Sequence, residues 1–402
     1  MHARQVSLSV VLIAVMVAST FQIFALGVLA SSIIDDLEIS RTSVGIIGAV
    51  NTGVGAITAP FSGRLADRMG PRRAVLAVTT IGAVGMLLMA ASNSMGMLLV
   101  SAVVSGVPQG WGNPATNALI ADVMPIGARG TITGIKQSGV TLAIVMAGAV
   151  LPWLEKGNDW QGAALVFALL FFALMVMSAV LLRGLSSQPA QEAVDIDRSD
   201  RLPPIIWRLG VFAFLMGTSS GAIGRFLALF SEEALGLSLE AAGAVVAVSG
   251  AVGMVARIVA ARAAERWITP ERLLLRLSFL GVITCAMLAS ATTVGAWLIW
   301  PTVVLYAIGH TAWNAVINLA AIMKVPVAQA GRASGIIMAG FLTGLTISSP
   351  ITGWIVDTFD TWGPAWIGAG VLAASAAAVI IGPSGAGPTG LSDAPQLGSE
   401  AA

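Results

Sequence analysis

The sequence predicts an all-α integral membrane protein with twelve transmembrane helices in two pseudo-symmetric six-helix bundles. Three observations lead there. Of the 402 residues, 56% are hydrophobic and only 10% charged, against about 45–50% and about 25% in a soluble domain. A water-soluble globule cannot hide that much apolar surface, whereas lipid accepts it on helices of roughly 20 apolar residues. Apolar stretches of that length recur near 7–33, 43–63, 73–92, 95–121, 133–153 and 162–182, then near 207–230, 239–262, 272–291, 294–321, 333–356 and 363–383. The third observation is an internal repeat. Gly63-Arg64-Leu65-Ala66-Asp67-Arg68 returns 198 residues later as Ala261-Arg262-Ala263-Ala264-Glu265-Arg266. Asn113, Asn117, Pro125 and Gly134 return as Asn314, Asn318, Pro326 and Gly335, 201 residues on. Parallel repeats of this kind mark transporters whose two bundles rock about a central site.

Taken in order, the first stretch is too long for a signal-peptide core and no small-residue cleavage site follows it, so it is read as a helix of the mature protein. Placing the N-terminus in the cytoplasm puts 18 of the 21 Lys and Arg residues on the cytoplasmic side, with only Arg41 and Lys156 outside and Arg225 within a span. The acidic residues divide evenly, as expected if only Lys and Arg report topology. An even number of spans then leaves both termini cytoplasmic in the inner (plasma) membrane. Lys136, at the start of the fifth span, is read as a cytoplasmic anchor, and Arg257, toward the inner end of the eighth, is counted with the cytoplasmic residues. The expected division is a first bundle at 1–183, a polar cytoplasmic linker at 184–206, a second bundle at 207–383 and a disordered tail at 384–402. Cys285 is the lone cysteine and lies in the ninth span, which excludes an intrachain disulfide.

The loop after the second span, Gly63-Arg64-Leu65-Ala66-Asp67-Arg68-Met69-Gly70-Pro71-Arg72-Arg73, resembles the signature loop of the major facilitator superfamily. A degenerate second copy follows the eighth span. The resemblance covers 1–383 and implies a rocker-switch secondary transporter, with helices 1, 4, 7 and 10 around the cavity. It also implies a gating loop built from Gly63, Asp67, Arg68, Gly70 and Arg72, with Arg262, Glu265 and Arg266 in the second copy. Charge supports that role: Asp67 at a helix end suits the positive N-terminus of a helix in the other bundle, and the arginines suit Asp122 at the end of helix 4. As topology anchors alone, the same arginines would serve equally.

Polar residues inside spans are costly, so their placement carries information. Helix 10 carries Tyr306, His310, Trp313, Asn314 and Asn318 on one stripe, and helix 4 carries Gln109, Asn113 and Asn117 on another. Helix 1 adds Gln22, and helix 7 adds Ser219, Ser220 and Arg225. The candidate substrate contacts are Arg225, Gln22, Gln109, Asn113, Tyr306, His310, Trp313 and Asn314. For Arg225 two readings stand level: a forked contact to an anion, or an ion pair with Glu232 or Glu233. His310 is the candidate proton-coupling group, since an unperturbed imidazole titrates near pH 6.5; a neutral imidazole bonded to Tyr306 or to a backbone carbonyl is the alternative.

No Asp or Glu lies deep in a span, which disfavours a carrier of cations. No phosphate loop, metal-ligand cluster or convergent serine, histidine and carboxylate set occurs, so the expectation is a non-enzyme without cofactor or metal. The expected partners are a small solute, a proton and the bilayer, with no nucleic acid, and the fold can work as a monomer. The first functional reading is transport of a small organic anion such as a monocarboxylate. The alternative is export of a neutral or hydrophobic compound, with Phe21, Trp111 and Trp313 as stacking surface.

Overall fold

The computed structural model describes residues 2–124, 126–183, 202–325 and 329–381, and their side chains except at 2–5, 62–67, 126–131, 322 and 330–331. The expected linker at 184–206 falls largely outside these residues, and the expected tail at 384–402 wholly so, as do Pro125 and Pro326. The first bundle holds α1 (His2–Val28, continued by a short helix Ala30–Leu37), α2 (Arg41–Met69), α3 (Pro71–Ala90), α4 (Met95–Val123), α5 (Ile126–Gly157) and α6 (Trp160–Arg183). The second holds α7 (Pro204–Glu233), α8 (Leu239–Arg266), α9 (Pro270–Val294), α10, α11 (Ala330–Phe359) and α12 (Gly363–Ile381). Helix α10 is composite: an α segment Ile299–Tyr306, a π turn Ala307–Thr311 and a second α segment Trp313–Lys324.

Local chemistry sets the helix starts. Ser40, Ser94 and Ser238 cap α2, α4 and α8 by accepting from the backbone N–H three residues on. Pro71, Pro204 and Pro270 open α3, α7 and α9, where a missing N–H costs nothing. Between α2 and α3 the chain turns at Gly70 with φ +82°, a conformation that a side chain would strain. Eleven described helical segments are long and apolar enough to cross a membrane. The remaining long helix, α4, is the one that carries Gln109, Asn113 and Asn117.

Helices outrun the apolar stretches that announced them. α5 begins at Ile126 rather than near 133, and α8 continues to Arg266. Lys136 therefore lies well inside a helix and is 1% exposed, so its reading as an anchor at the membrane edge is corrected; Arg257 lies nine residues before the end of α8.

Each bundle has its own aromatic core. In the first, Phe21 stacks on Phe167 at 4.1 Å and meets Phe171 edge-on at 5.3 Å. In the second, Trp313 sits between Phe212 at 5.9 Å and Phe341 at 5.4 Å. Both rings are buried within a bundle, so neither Phe21 nor Trp313 provides the stacking surface for solute that the exporter reading assigned them.

The bundles meet through α2 with α11, α5 with α8, and α1 with α7. The α5–α8 crossing is made by Gly148 and Gly243, whose backbones touch; a Cβ on either would collide with the carbonyl of the other. Among the described residues, polar ties between the bundles gather at the end that carries the α1–α2 connection. Arg41 Nε donates to Glu233 at 2.9 Å, Ser31 to Glu232 at 2.7 Å, and Lys156 pairs with Glu240 at 2.9 Å. Asp357 of α11 accepts from the backbone N–H groups of Arg41 at 3.3 Å and Thr42 at 2.8 Å. A carboxylate of one bundle thus caps the first turn of a helix in the other, where unpaired N–H groups and the helix dipole favour an anion.

Candidate functional site

A small cavity lies between the bundles. From the first bundle, Phe24 of α1 and Thr141 and Ile144 of α5 reach it. From the second, α8 presents Val246, Ser249, Gly250, Gly253 and Arg257, one stripe at helical spacing. Gly224 and Leu227 of α7 and Tyr306 and Thr311 of α10 complete the wall. Among the described residues Arg257 is the only charged one in that lining, and none of the lining residues is a carboxylate.

The π turn explains how Arg257 is held. Ala315 N–H bonds Ala312 O at 3.1 Å, which leaves the Thr311 carbonyl without its α-helical donor. Arg257 Nε takes that acceptor at 3.2 Å. The preceding carbonyl, of His310, is satisfied by Ser220 Oγ at 3.1 Å, and Thr311 Oγ1 donates back to Ala307 O at 2.6 Å. Single π turns are often found at functional sites because they release backbone groups in this way. One edge of the guanidinium is anchored, and its other N–H groups remain to fork onto a ligand. Tyr306 stands beside it, with its hydroxyl 3.5 Å from Ser220 O.

Of the residues expected from sequence to contact solute, Tyr306 lines this cavity. Arg225 is buried at the bundle interface, where its Nη1 donates to Ile23 O of α1. Glu232 and Glu233 are held by Ser31 and Arg41, so of the two readings of Arg225 the ion pair with either is not the one formed. Arg225 can settle there because α2 offers a glycine: a Cβ on Gly48 would stand 2.7 Å from Arg225 Nε. Gln22 also points elsewhere, into the first bundle, donating to Ser101 Oγ at 2.6 Å with its Oε1 beside Gly85 of α3.

His310 is enclosed by α7, α9 and α12. Ser219 Oγ donates to Ala369 O at 2.9 Å, so its remaining contact with His310 Nε2, at 3.0 Å, has the imidazole as donor. The ring stacks on Tyr306 at 5.3 Å and touches Gly281 of α9. It is thus bonded inside the second bundle and is not part of the cavity wall. Trp313 donates from Nε1 to Ser220 Oγ at 3.4 Å, again within the bundle. Asn314 accepts from Asn318 Nδ2 at its backbone oxygen (2.8 Å) and its Oδ1 (3.1 Å). Gln109 is half-buried on α4 near Gly55 of α2. Asn113 joins Asn117 and Thr116 around Lys136, which is 1% exposed.

The expected gating loop is described in part. Gly63 and Asp67 lie in α2 with side chains outside the described set, whereas Arg68 is exposed and Arg72 half-buried. Asp122 is half-buried at the end of α4, with Oδ2 lacking a hydrogen-bond partner among the described residues. Arg262, Glu265 and Arg266 are exposed on the last turns of α8. What sequence reasoning missed is Arg257. The signal was present in Gly250, Gly253 and Arg257, spaced as one helical face with glycines opening room before a cation.

Comparison with known proteins agrees with this architecture. The sequence profile of the Major Facilitator Superfamily matches residues 11–342. The chain is 28% identical over 113 residues to the glucose transporter GlcP of Staphylococcus epidermidis, covering 28% of this chain and 25% of that protein. It is 27% identical over 158 residues to a gallate transporter of Pseudomonas putida, covering 39% and 34%. These first relatives are thus matched over about a third of their length or less. A class D tetracycline resistance protein of Salmonella ordonez is matched more widely, 26% identical over 318 residues and covering 76% and 78%. Among solved structures, a D-xylose–proton symporter superposes with a TM-score of 0.77 at 16% identity, covering 94% of this chain and 97% of that one. A bacterial homologue of the human lysosomal transporter Spinster, inward-facing and occupied, gives 0.75 at 18%, covering 94% and 95%. These likenesses establish the fold. With its signature loop, repeated halves and interbundle cavity, the chain belongs to the Major Facilitator Superfamily.

Proposed function

We propose that this transporter moves a small organic anion, such as a monocarboxylate, by alternating access. The observation that carries the reading is Arg257: a guanidinium anchored at one edge, in a cavity whose described lining residues include no carboxylate to neutralise it. A forked donor in a low-dielectric wall favours a planar oxyanion over a neutral or cationic solute. The role that the sequence suggested for Arg225 passes to Arg257. In this proposal the basic loops face the cytoplasm, so the latched end is the outer one and the structure stands closed outside. The Gly148–Gly243 crossing is the pivot, and a single chain suffices. The Pseudomonas putida relative, named for gallate, is consistent with an organic anion.

A second reading, export of a neutral or hydrophobic compound, is favoured by the apolar walls Phe24, Ile144, Leu227 and Val246 and by the tetracycline resistance relative. Melting-temperature shifts of the purified protein in neutral detergent separate the two. A ligand at 100 times its Kd adds about 2.7 kcal/mol of apparent stability. Carboxylates are expected to stabilise the wild type and to lose that effect in Arg257→Gln. Stabilisation confined to neutral compounds or lipophilic cations, or a carboxylate effect indifferent to Arg257→Gln, overturns the anion reading.

A further inference from the structure

The two halves of the chain treat the same asparagine pair differently. In the second half, Asn318 bonds Asn314, and the residues at the repeat positions of Thr116 and Lys136 are Ile317 and Ile337, both buried. An apolar pair is therefore enough to build this part of the fold. In the first half Lys136 reaches from α5 to α4 and donates to Asn117 Oδ1 at 2.6 Å, Thr116 Oγ1 at 3.0 Å and Asn113 Oδ1 at 3.1 Å, with the Asn113 backbone oxygen at 3.4 Å. Each of these oxygens is uncharged. Neutral dipoles satisfy the hydrogens of an ammonium without cancelling its charge, and a buried uncancelled charge is costly.

Orientation of the amides adds to this. Lysine has no acceptor, so both asparagines must turn their oxygens to it and their NH₂ ends away. Asn117 and Gln137 are exposed and Asn113 is half-buried. Gln137 shares a helical stripe with Thr141 and Ile144, which line the central cavity, so the group lies along the route from that cavity toward the end opposite the latch. Gln137 Nε2 also donates to Asn113 Oδ1 at 3.2 Å, reinforcing the same orientation.

We propose that Lys136, with the amides of Asn113 and Asn117, forms a second site, for a small monovalent anion, between the central cavity and the end opposite the latch. The ammonium supplies the charge and the outward amide N–H groups supply donors. The occupant is either an inorganic anion such as chloride or the carboxylate of a solute passing from Arg257. This proposal goes beyond the anion reading at Arg257 and does not depend on it.

The test is the line width of the chloride-35 NMR signal over the purified protein in uncharged detergent, a measure of exchange between free and bound chloride. Wild type is expected to show a saturable component that is lost in Lys136→Ile, which copies the residue of the other half, and kept in Arg257→Gln. Asn117→Asp, which keeps the lysine and gives it a counter-ion, is expected to lose the same component; this guards against a Lys136→Ile protein that fails to fold. Line widths in Lys136→Ile and Asn117→Asp equal to wild type overturn the Lys136 site, and loss in Arg257→Gln alone assigns the anion to the central cavity only. Sodium benzoate separates the occupants: displacement of the Lys136 component marks a carboxylate site, and persistence marks an inorganic anion site.

Discussion

Replacing Asp357 by asparagine should loosen the latched end by a calculable amount. The Asp357 carboxylate accepts from the N–H groups of Arg41 and Thr42 and from Thr42 Oγ1, and lies 3.4 Å from Arg41 Nη1. Asparagine keeps the shape and one acceptor but removes the charge. A hydrogen bond to a charged group contributes about 1.5–3 kcal/mol when shielded, an exposed ion pair about 0.2–1, and a charge at a helix N-terminus about 0.3–1. The Arg41 and Asp357 side chains are 29% and 22% exposed, so values toward the lower ends apply. The expected loss is about 1–2 kcal/mol, all of it from the state in which this end is closed. At tenfold per 1.4 kcal/mol, the ratio of open to closed molecules rises about five- to thirtyfold. Spin labels at Glu38→Cys and Thr361→Cys, both exposed and on opposite bundles, report that ratio by pulsed dipolar spectroscopy. The native Cys285 is buried and does not compete for label. A folded Asp357→Asn protein whose distance distribution matches wild type would show that the cap does not hold the bundles together.

Three further outcomes follow from the same geometry. Gly148→Val drives a side chain into the Gly243 carbonyl and should cost about 1–3 kcal/mol in thermal stability, with Gly148→Ala a weaker effect of the same sign; equal melting temperatures would refute the contact. His310→Gln should lower the melting temperature by loss of a buried hydrogen bond, about 1–3 kcal/mol, yet leave the pH profile of uptake into proteoliposomes in place; a shifted profile would restore His310 as the proton site. Arg225→Met should leave carboxylate affinity unchanged while raising the open population at the latched end, since the Arg225 contact joins α7 to α1; weakened carboxylate binding would return Arg225 to the substrate pathway.

The fold was largely legible because lipid imposes a simple rule, a run of apolar residues for every crossing, and because the halves repeat at nearly constant spacing. The ends of helices were not, since a helix keeps its hydrogen bonds after its side chains turn polar and hydropathy stops reporting it. That is why the sequence reads Lys136 as an anchor and counts Arg257 with the cytoplasmic residues: α5 starts ten residues before Lys136, and α8 ends nine residues after Arg257. The site was legible only by helix. Periodicity puts Gln22, His310 and Trp313 on inward faces, but a face within a bundle and a face toward the cavity share one polarity pattern. Partners distant in sequence decide between them, such as Ser101 for Gln22 and Ser219 for His310. The π turn left no trace in composition at all.

That turn separates two kinds of damage. A π turn accommodates one residue more than an α-helix needs over the same rise, so the faces on either side keep their azimuth. Deleting one residue from Ala307–Thr311 would therefore regularise α10 and leave Trp313 in its slot between Phe212 and Phe341. What would vanish is the free carbonyl, because Ala315 would recover its usual acceptor and Arg257 would lose its anchor. The same deletion a few residues later would swing the rest of α10 by about 100° and scatter the core. Length variation among natural copies of this helix can thus retune the cavity without touching the scaffold, provided that it falls within these five residues.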